Sequence, residues 1–361
     1  MCYNVNGFLF LMCNKEVINF MATMKSIWWT GPGKIELRTD APVPEVGVGQ
    51  AKIKVAYAAL CATDMHTVSM GVMGAQFREG GSPMGHEMSG EIIEMGPGTE
   101  NSGLKVGDKV VAFPGTNCGK CENCKNGFSQ YCTNREPGGA FSQFMVSSVT
   151  KLYKIPDDAN MQHYSLVEPT TCTIRAMDLS PISHGQTVLV SGVGGIGSLL
   201  LDMVIRSGAA KITVSDPVPQ KRDNALAMGA QFAIDPMNED LVARGREITD
   251  GKGFDHIFEV SGVPVAAPPC IDLLARCGTV TYFAVFPPTY ELPVNLHNLY
   301  MKEGRIHTVF THPHIVHRAI NLVPRMHMDN IIGKVYDLAD GMEAIEMFHK
   351  SIYPKILLKC N

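Results

Sequence analysis

The strongest constraint on what this chain can fold into is the segment Gly192-Val-Gly194-Gly-Ile-Gly197. It stands between a short, largely apolar run at 187–190 and a stretch with helical spacing at 196–206. In such a turn the first glycine permits a tight bend and the second lets backbone N–H groups approach a pyrophosphate. The third lets helix and strand pack closely, and the phosphate charge then faces the positive end of the helix dipole. The glycines alone are a weak signal. Asp216, however, closes the next β-rich run 19 residues after Gly197, near the roughly 20 that a dinucleotide-binding turn requires. Its carboxylate would accept hydrogen bonds from ribose hydroxyls and repel a 2′-phosphate, which favours NAD over NADP. Lys221 and Arg222 stand close enough to leave NADP open. The cofactor-binding candidates are therefore Gly192, Gly194, Gly195, Ile196, Gly197, Asp216 and Arg222.

Around this motif the chain divides in character. Runs at 187–190, 211–215, 254–260 and 279–283 read as strands, with helical stretches at 196–206, 219–228 and 268–275 between them. Strands alternating with helices predict parallel βαβ units with both sheet faces covered. Before that, runs at 25–29, 52–56, 88–94 and 109–112 are short and bounded by Gly, Pro or Asp, with no sustained helical period. That half reads as an antiparallel, barrel-like unit, and 355–359 reads as a final strand. A length of 361 residues suits two domains at roughly 150 residues each. The expected division is an extension at 1–23, one unit formed by 24–166 with 300–361, and the parallel-sheet unit at 167–299.

A net charge of −4 offers no broad basic surface for a nucleic-acid backbone. No run approaches the roughly 18 apolar residues of a membrane span. The apolar patch at 7–12 has no basic segment before it and is followed by Lys15 and Glu16, so it does not read as a signal peptide. Eleven cysteines, an odd number, then indicate a reducing compartment, the cytoplasm, with some thiols on metal.

Cys118-x2-Cys121-x2-Cys124-x7-Cys132 brings four thiols into one short, polar, glycine-containing segment. It has too few apolar residues to order itself by burial. Four thiolates around zinc at about 2.3 Å close such a loop and leave no open position, which makes this a structural site. A second set is dispersed: Cys61 within Leu60-Cys-Ala-Thr-Asp-Met-His66, His86-Glu87 after Gly85, and Glu168 before Pro169. One thiolate, one imidazole and a carboxylate suit zinc with a position left open for chemistry. Cys172, one helical turn after Glu168, is a rival ligand. Thr63 and His66 are placed to pass a proton outward through a hydroxyl and then an imidazole.

These segments, together with Val106-Gly-Asp-Lys-Val110, occur in an order that resembles the zinc-dependent medium-chain alcohol dehydrogenases, nearest the polyol/sorbitol and threonine dehydrogenase-like branch. The resemblance runs from about Met24 to the end. It implies an α/β protein in which a GroES-like antiparallel β-barrel catalytic domain accompanies a Rossmann doubly wound coenzyme domain, with the active site in the cleft between them. It further implies two zinc ions per chain, one catalytic and one structural. Cys61, His86 and either Glu87 or Glu168 hold the catalytic ion, and Asp64 supports them by hydrogen bonding. The activity implied is reversible oxidation of a secondary alcohol or polyol by hydride transfer to NAD(P), on a small alcohol or sugar substrate, in a homodimer or homotetramer. Alternatives are a zinc-independent quinone or enone reductase of the same fold and a non-catalytic zinc-lobe binding protein. Ala62 stands where relatives carry glycine, Gly195 where many carry proline, and Lys334 where many carry histidine. Met65, Met70, Met73 and Met84 either line the substrate cleft or pack as core. The cluster His312-Pro-His314-Ile-Val-His317 reads as a solvated helix start.

Overall fold

The computed structural model describes residues 2–5, 8–13, 16–19, 22–70, 79–113, 118–134, 138–311 and 313–361. Strands β1 (Cys2–Val5), β2 (Phe8–Cys13) and β3 (Glu16–Asn19) form an antiparallel sheet of their own within the expected extension. Gly7 and Lys15 of the apolar-patch argument, and Met73, lie outside the described residues.

The next strands are β4 (Thr23–Gly31), β5 (Lys34–Pro42), β6 (Gln50–Ala59), β7 (Ser82–Pro83), β8 (Glu87–Met95), β9 (Lys109–Ala112), β10 (Phe144–Ser148) and β11 (Leu152–Lys154). All of their mutual pairings are antiparallel. Side-chain alternation explains the layer: Ala51, Ile53 and Val55 of β6 are fully buried while Lys52 and Lys54 face outward. The buried set packs with Ile27, Met88, Ile92, Phe141 and Leu358.

β12 (Thr187–Ser191), β13 (Lys211–Ser215), β14 (Phe232–Ile234), β15 (Phe254–Glu259), β16 (Leu274–Tyr282) and β17 (Arg305–Thr308) form a parallel sheet in the order β14-β13-β12-β15-β16-β17. Val188, Leu189 and Val190 are fully buried because both faces of β12 are covered. Chain order reverses between β12 and β15, and a crevice opens at their carboxyl ends where such sheets bind ligands. Finally β18 (Ile332–Asp337) pairs in parallel with β19 (Lys355–Lys359), and β19 returns antiparallel onto β6.

The antiparallel and parallel halves meet on the helix Val167–Leu179, whose buried side chains join one continuous core with Phe113 and Ile155 from the first half and Val190 and Phe258 from the second. Three local expectations need correction. A helix, Ala62–Met70, follows Cys61 in the half that shows no helical period. Its buried apolar residues, Met65 and Val68, are too few for a periodic pattern over nine residues. The helix read at 268–275 is Ala267–Asp272, and Leu274 and Ala275 already belong to β16. The parallel sheet also continues to Thr308, one strand past 299.

Candidate active site

Strand register assembles the dispersed metal set. Ala59 at the end of β6 lies opposite Glu87, the first residue of β8, so Cys61 beyond one strand end meets His86 before the other. One ligand atom each from Cys61, His86 and Glu87 falls within 4.8 Å of the others. His86 Nδ1 lies 2.9 Å from Asp64 Oδ1, the support expected of Asp64, and leaves Nε2 for an ion. Burial disfavours a charged His86, yet Asp64 and Cys61 outweigh it and raise its pKa well above 6.5. The surroundings thus favour positive charge, as a cation site requires.

The two carboxylates differ. Glu87 is fully buried, and both its oxygens accept from Lys355 Nζ, at 2.7 and 2.5 Å. Lys355 also donates to the Leu60 carbonyl at 3.0 Å. Glu168 lines the same cleft but is outside the close ligand set. Burial pushes its pKa up to about 7, with Glu87 and Asp64 adding to the shift while His86 and Lys355 oppose it. Cys172 lines the cleft too, where burial raises its pKa and resists the thiolate a metal would need.

The cleft, about 1380 Å³, is lined by Cys61, Thr63, His66, His86, Glu87 and Glu168. Its wall continues through Gly192, Gly194, Gly195, Ile196, Gly197 and Asp216. His66 and His349 also line an adjoining pocket of about 430 Å³, and burial lowers the His66 pKa. In the cofactor loop, Gly192 has φ +94°, and a Cβ on Gly197 would sit 2.0 Å from the Gly192 carbonyl oxygen. Both positions therefore need glycine. Asp216 accepts from the amides of Val193 and Val218, at 2.9 Å each, and so fastens the loop to the end of β13.

Arg222 is not brought to the cleft. Its guanidinium donates to the Asp216 carbonyl at 2.7 Å and to Asp235 at 2.9 Å. Lys221 lines the cleft instead, with its ammonium 2.9 Å from Ser351 Oγ. Lys334 is away from the cleft lining, its ammonium 5.7 Å from the Tyr336 ring centre. Met65 and Met84 pack in the core, and Met84 also reaches the cleft wall. Lys355 escaped the sequence reading; its signal was a single lysine opening the otherwise apolar run Ile356-Leu-Leu358.

The thiols of Cys118, Cys121, Cys124 and Cys132 lie within 4.8 Å of one another. All four are free, with Cys118 to Cys124 at 3.9 Å and Cys121 to Cys132 at 3.8 Å. Backbone N–H groups of Cys121 and Lys120 reach Cys118 Sγ and lower its pKa to about 5. Burial and neighbouring thiols push Cys124 up to about 12. One sulfur holds negative charge readily and another resists it, a conflict that a divalent cation resolves.

Residues 47–157 match the family profile described as "Alcohol dehydrogenase GroES-like domain", and residues 195–325 match "Zinc-binding dehydrogenase". The chain is 32% identical over 277 residues to L-threonine 3-dehydrogenase of Pyrococcus horikoshii, covering 75% of this chain and 79% of that one. It is 27% identical to sorbitol dehydrogenase of Bacillus subtilis, covering 90% and 93%. The crystal structure of 2R,3R-butanediol dehydrogenase from Bacillus subtilis superposes with a TM-score of 0.82 at 26% identity, covering 94% of this chain and all 100% of the other. A thiolate–imidazole–carboxylate set facing the same cleft as a dinucleotide loop agrees with those matches, and the chain belongs to the zinc-dependent medium-chain alcohol dehydrogenase family.

Proposed function

We propose that this protein reversibly oxidises a secondary alcohol or polyol to a ketone or aldehyde, passing hydride to NAD in preference to NADP. The observation that carries this reading is one cleft lined both by Cys61, His86 and Glu87 and by the 192–197 loop with Asp216. Zinc bound there supplies Lewis acidity and lowers the pKa of a bound hydroxyl. Cys61 and His86 hold it with Glu87 or Glu168, and Asp64 fixes the His86 ring. Thr63 takes the hydroxyl proton into a hydrogen-bond path, and His66 carries it toward the side pocket that it shares with the cleft. The glycine loop seats the pyrophosphate, and Asp216 faces the adenine ribose. The engagement of Arg222 with Asp235 supports NAD, because that guanidinium is not turned to a 2′-phosphate.

The same reading assigns a second, structural zinc to the four-cysteine lobe and the division into units at 24–166 with the C-terminal segment, the parallel-sheet unit, and the extension 1–23. It places the protein in the cytoplasm; among the described residues, no helix is long and apolar enough to cross a membrane. A homodimer or homotetramer is supported by the edge strand β17 with exposed Ile306, and by exposed Leu296, Tyr300 and Met301 on the helix that precedes it.

The test is elemental analysis of pure, active protein together with a panel of polyols, amino alcohols and secondary alcohols, each with NAD and with NADP. The reading expects two zinc ions per chain, turnover lost under a strong chelator, and a folded but inactive Cys61→Ser variant. Full activity in that variant, or an ion confined to the lobe, ends it.

A further inference from the structure

The four-cysteine lobe reaches the cleft. Its last turn, Ser129–Tyr131, runs directly into Cys132, and Gln130, Tyr131 and Thr133 line the cleft wall. Val309, Phe310 and Thr311, the residues that leave β17 of the parallel sheet, line the same cleft. Contacts join these two segments. The Tyr131 and Phe310 rings stack with centroids 5.2 Å apart and planes 6° from parallel, and Ser129 Oγ lies 3.2 Å from His314 Nε2. Within the lobe, Asn123 Nδ2 donates to the Tyr131 carbonyl at 2.7 Å.

Burial does not hold Tyr131 in place, since half of its surface is exposed, at 50%. The lobe helix Glu122–Lys125 is four residues long and has no buried residue. Tyr131 is instead tied to the lobe, by the Asn123 hydrogen bond to its carbonyl and by its chain neighbour Cys132, one of the four clustered thiols. We propose that the lobe is a clasp on the substrate cleft: through the Tyr131–Phe310 stack it pins the segment after β17, so that the order of the sulfur cluster sets how tightly the alcohol is held. Tyr131 and Phe310 are then positioning residues. This rests on the dehydrogenase reading of the cleft, but the order of 309–311 is measured without turnover, so failure of one is distinguishable from failure of the other.

The experiment uses the purified zinc-loaded chain with Tyr131→Ala, Phe310→Ala, their double variant and Tyr131→Phe. A stacked pair of this kind supports an effect of about fivefold. Tyr131→Ala is expected to raise the alcohol KM about fivefold with a smaller change in kcat, and to speed amide exchange at Val309–Thr311 by a similar factor, at unchanged zinc content. Tyr131→Phe restores both values, and the double variant is no worse than either single one. Unchanged exchange and KM in Tyr131→Ala, or single effects that add in the double variant, overturn the proposal. Cys124→Ser, which opens the sulfur cluster, is expected to speed exchange at the same amides; slow exchange there in a folded, lobe-depleted chain also overturns it. Where that variant does not fold, the Tyr131–Phe310 cycle decides alone.

Discussion

Lys355 shows how much one side chain can carry. It is buried to 3% exposure, neutralises both oxygens of Glu87 and closes the Leu60 carbonyl. Breaking a buried ion pair from one side leaves an uncompensated charge, at a cost of about 3–5 kcal/mol. Lys355→Ala should therefore lower the unfolding free energy read from denaturant titration by that amount, and an unchanged value would show that Glu87 finds another partner. Asp216 is the second residue with two duties in the proposed reading, since it would face the ribose while it accepts from two loop amides. Charge-assisted hydrogen bonds of this sort contribute about 1.5–3 kcal/mol. Asp216→Ala should then cut kcat/KM for NAD by about ten- to a hundredfold and narrow the NAD-to-NADP ratio, as read from initial rates with each cofactor. The carboxylate was legible in the sequence from its spacing to Gly197. Its grip on the loop was not, because the Val193 amide turns toward it only once β12 and β13 pair.

At the scale of elements, the turn before β9 is built on Asp108, which accepts from the Lys105 amide at 2.9 Å and from the Lys154 ammonium at 2.6 Å. Burial alone would raise the Asp108 pKa, but Lys154 and the Lys105 amide outweigh it and hold it below the ordinary 3.8. A carboxylate depressed on folding adds stability that is full above its unfolded pKa and is lost as pH falls through its folded pKa. Asp108→Asn should lower Tm near neutral pH, and the gap from the parent chain should close as the pH is taken below about 4. A gap independent of pH would assign the loss to packing instead. The strands on either side were readable from composition because Lys109–Ala112 is β-rich and follows Gly107-Asp108. The helix after Cys61 was not, since burial by Met65 and Val68 needs the neighbouring sheet in place.

For the whole molecule, the parallel sheet ends, among the described residues, on β17, which pairs with β16. Ile306 on that strand and, on the preceding helix Leu296–Lys302, Leu296 and Tyr300, at 74% and 80% exposure, are apolar side chains left uncovered. In the proposed reading a second chain covers this edge. Ile306→Lys, which places an ammonium among them, should shift the proposed assembly toward monomer by at least about tenfold in dissociation constant, as read by light scattering over a dilution series. An unchanged mass at every dilution would place the subunit contact elsewhere.

Local chemistry was determined by the sequence alone. The glycine loop with its acid, the four-cysteine spacing and the alternation of strands with helices each lie within one short stretch, so backbone geometry and residue type suffice to read them. Tertiary structure alone decided which distant groups meet. Ala59 of β6 lies opposite both Glu87 and Leu357, and this double register brings Lys355 onto Glu87 across 268 residues. Other contacts made only in the folded chain turned Arg222 to Asp235 and laid Tyr131 on Phe310. Register between strands far apart in the chain depends on every buried face at once, and no local pattern encodes it.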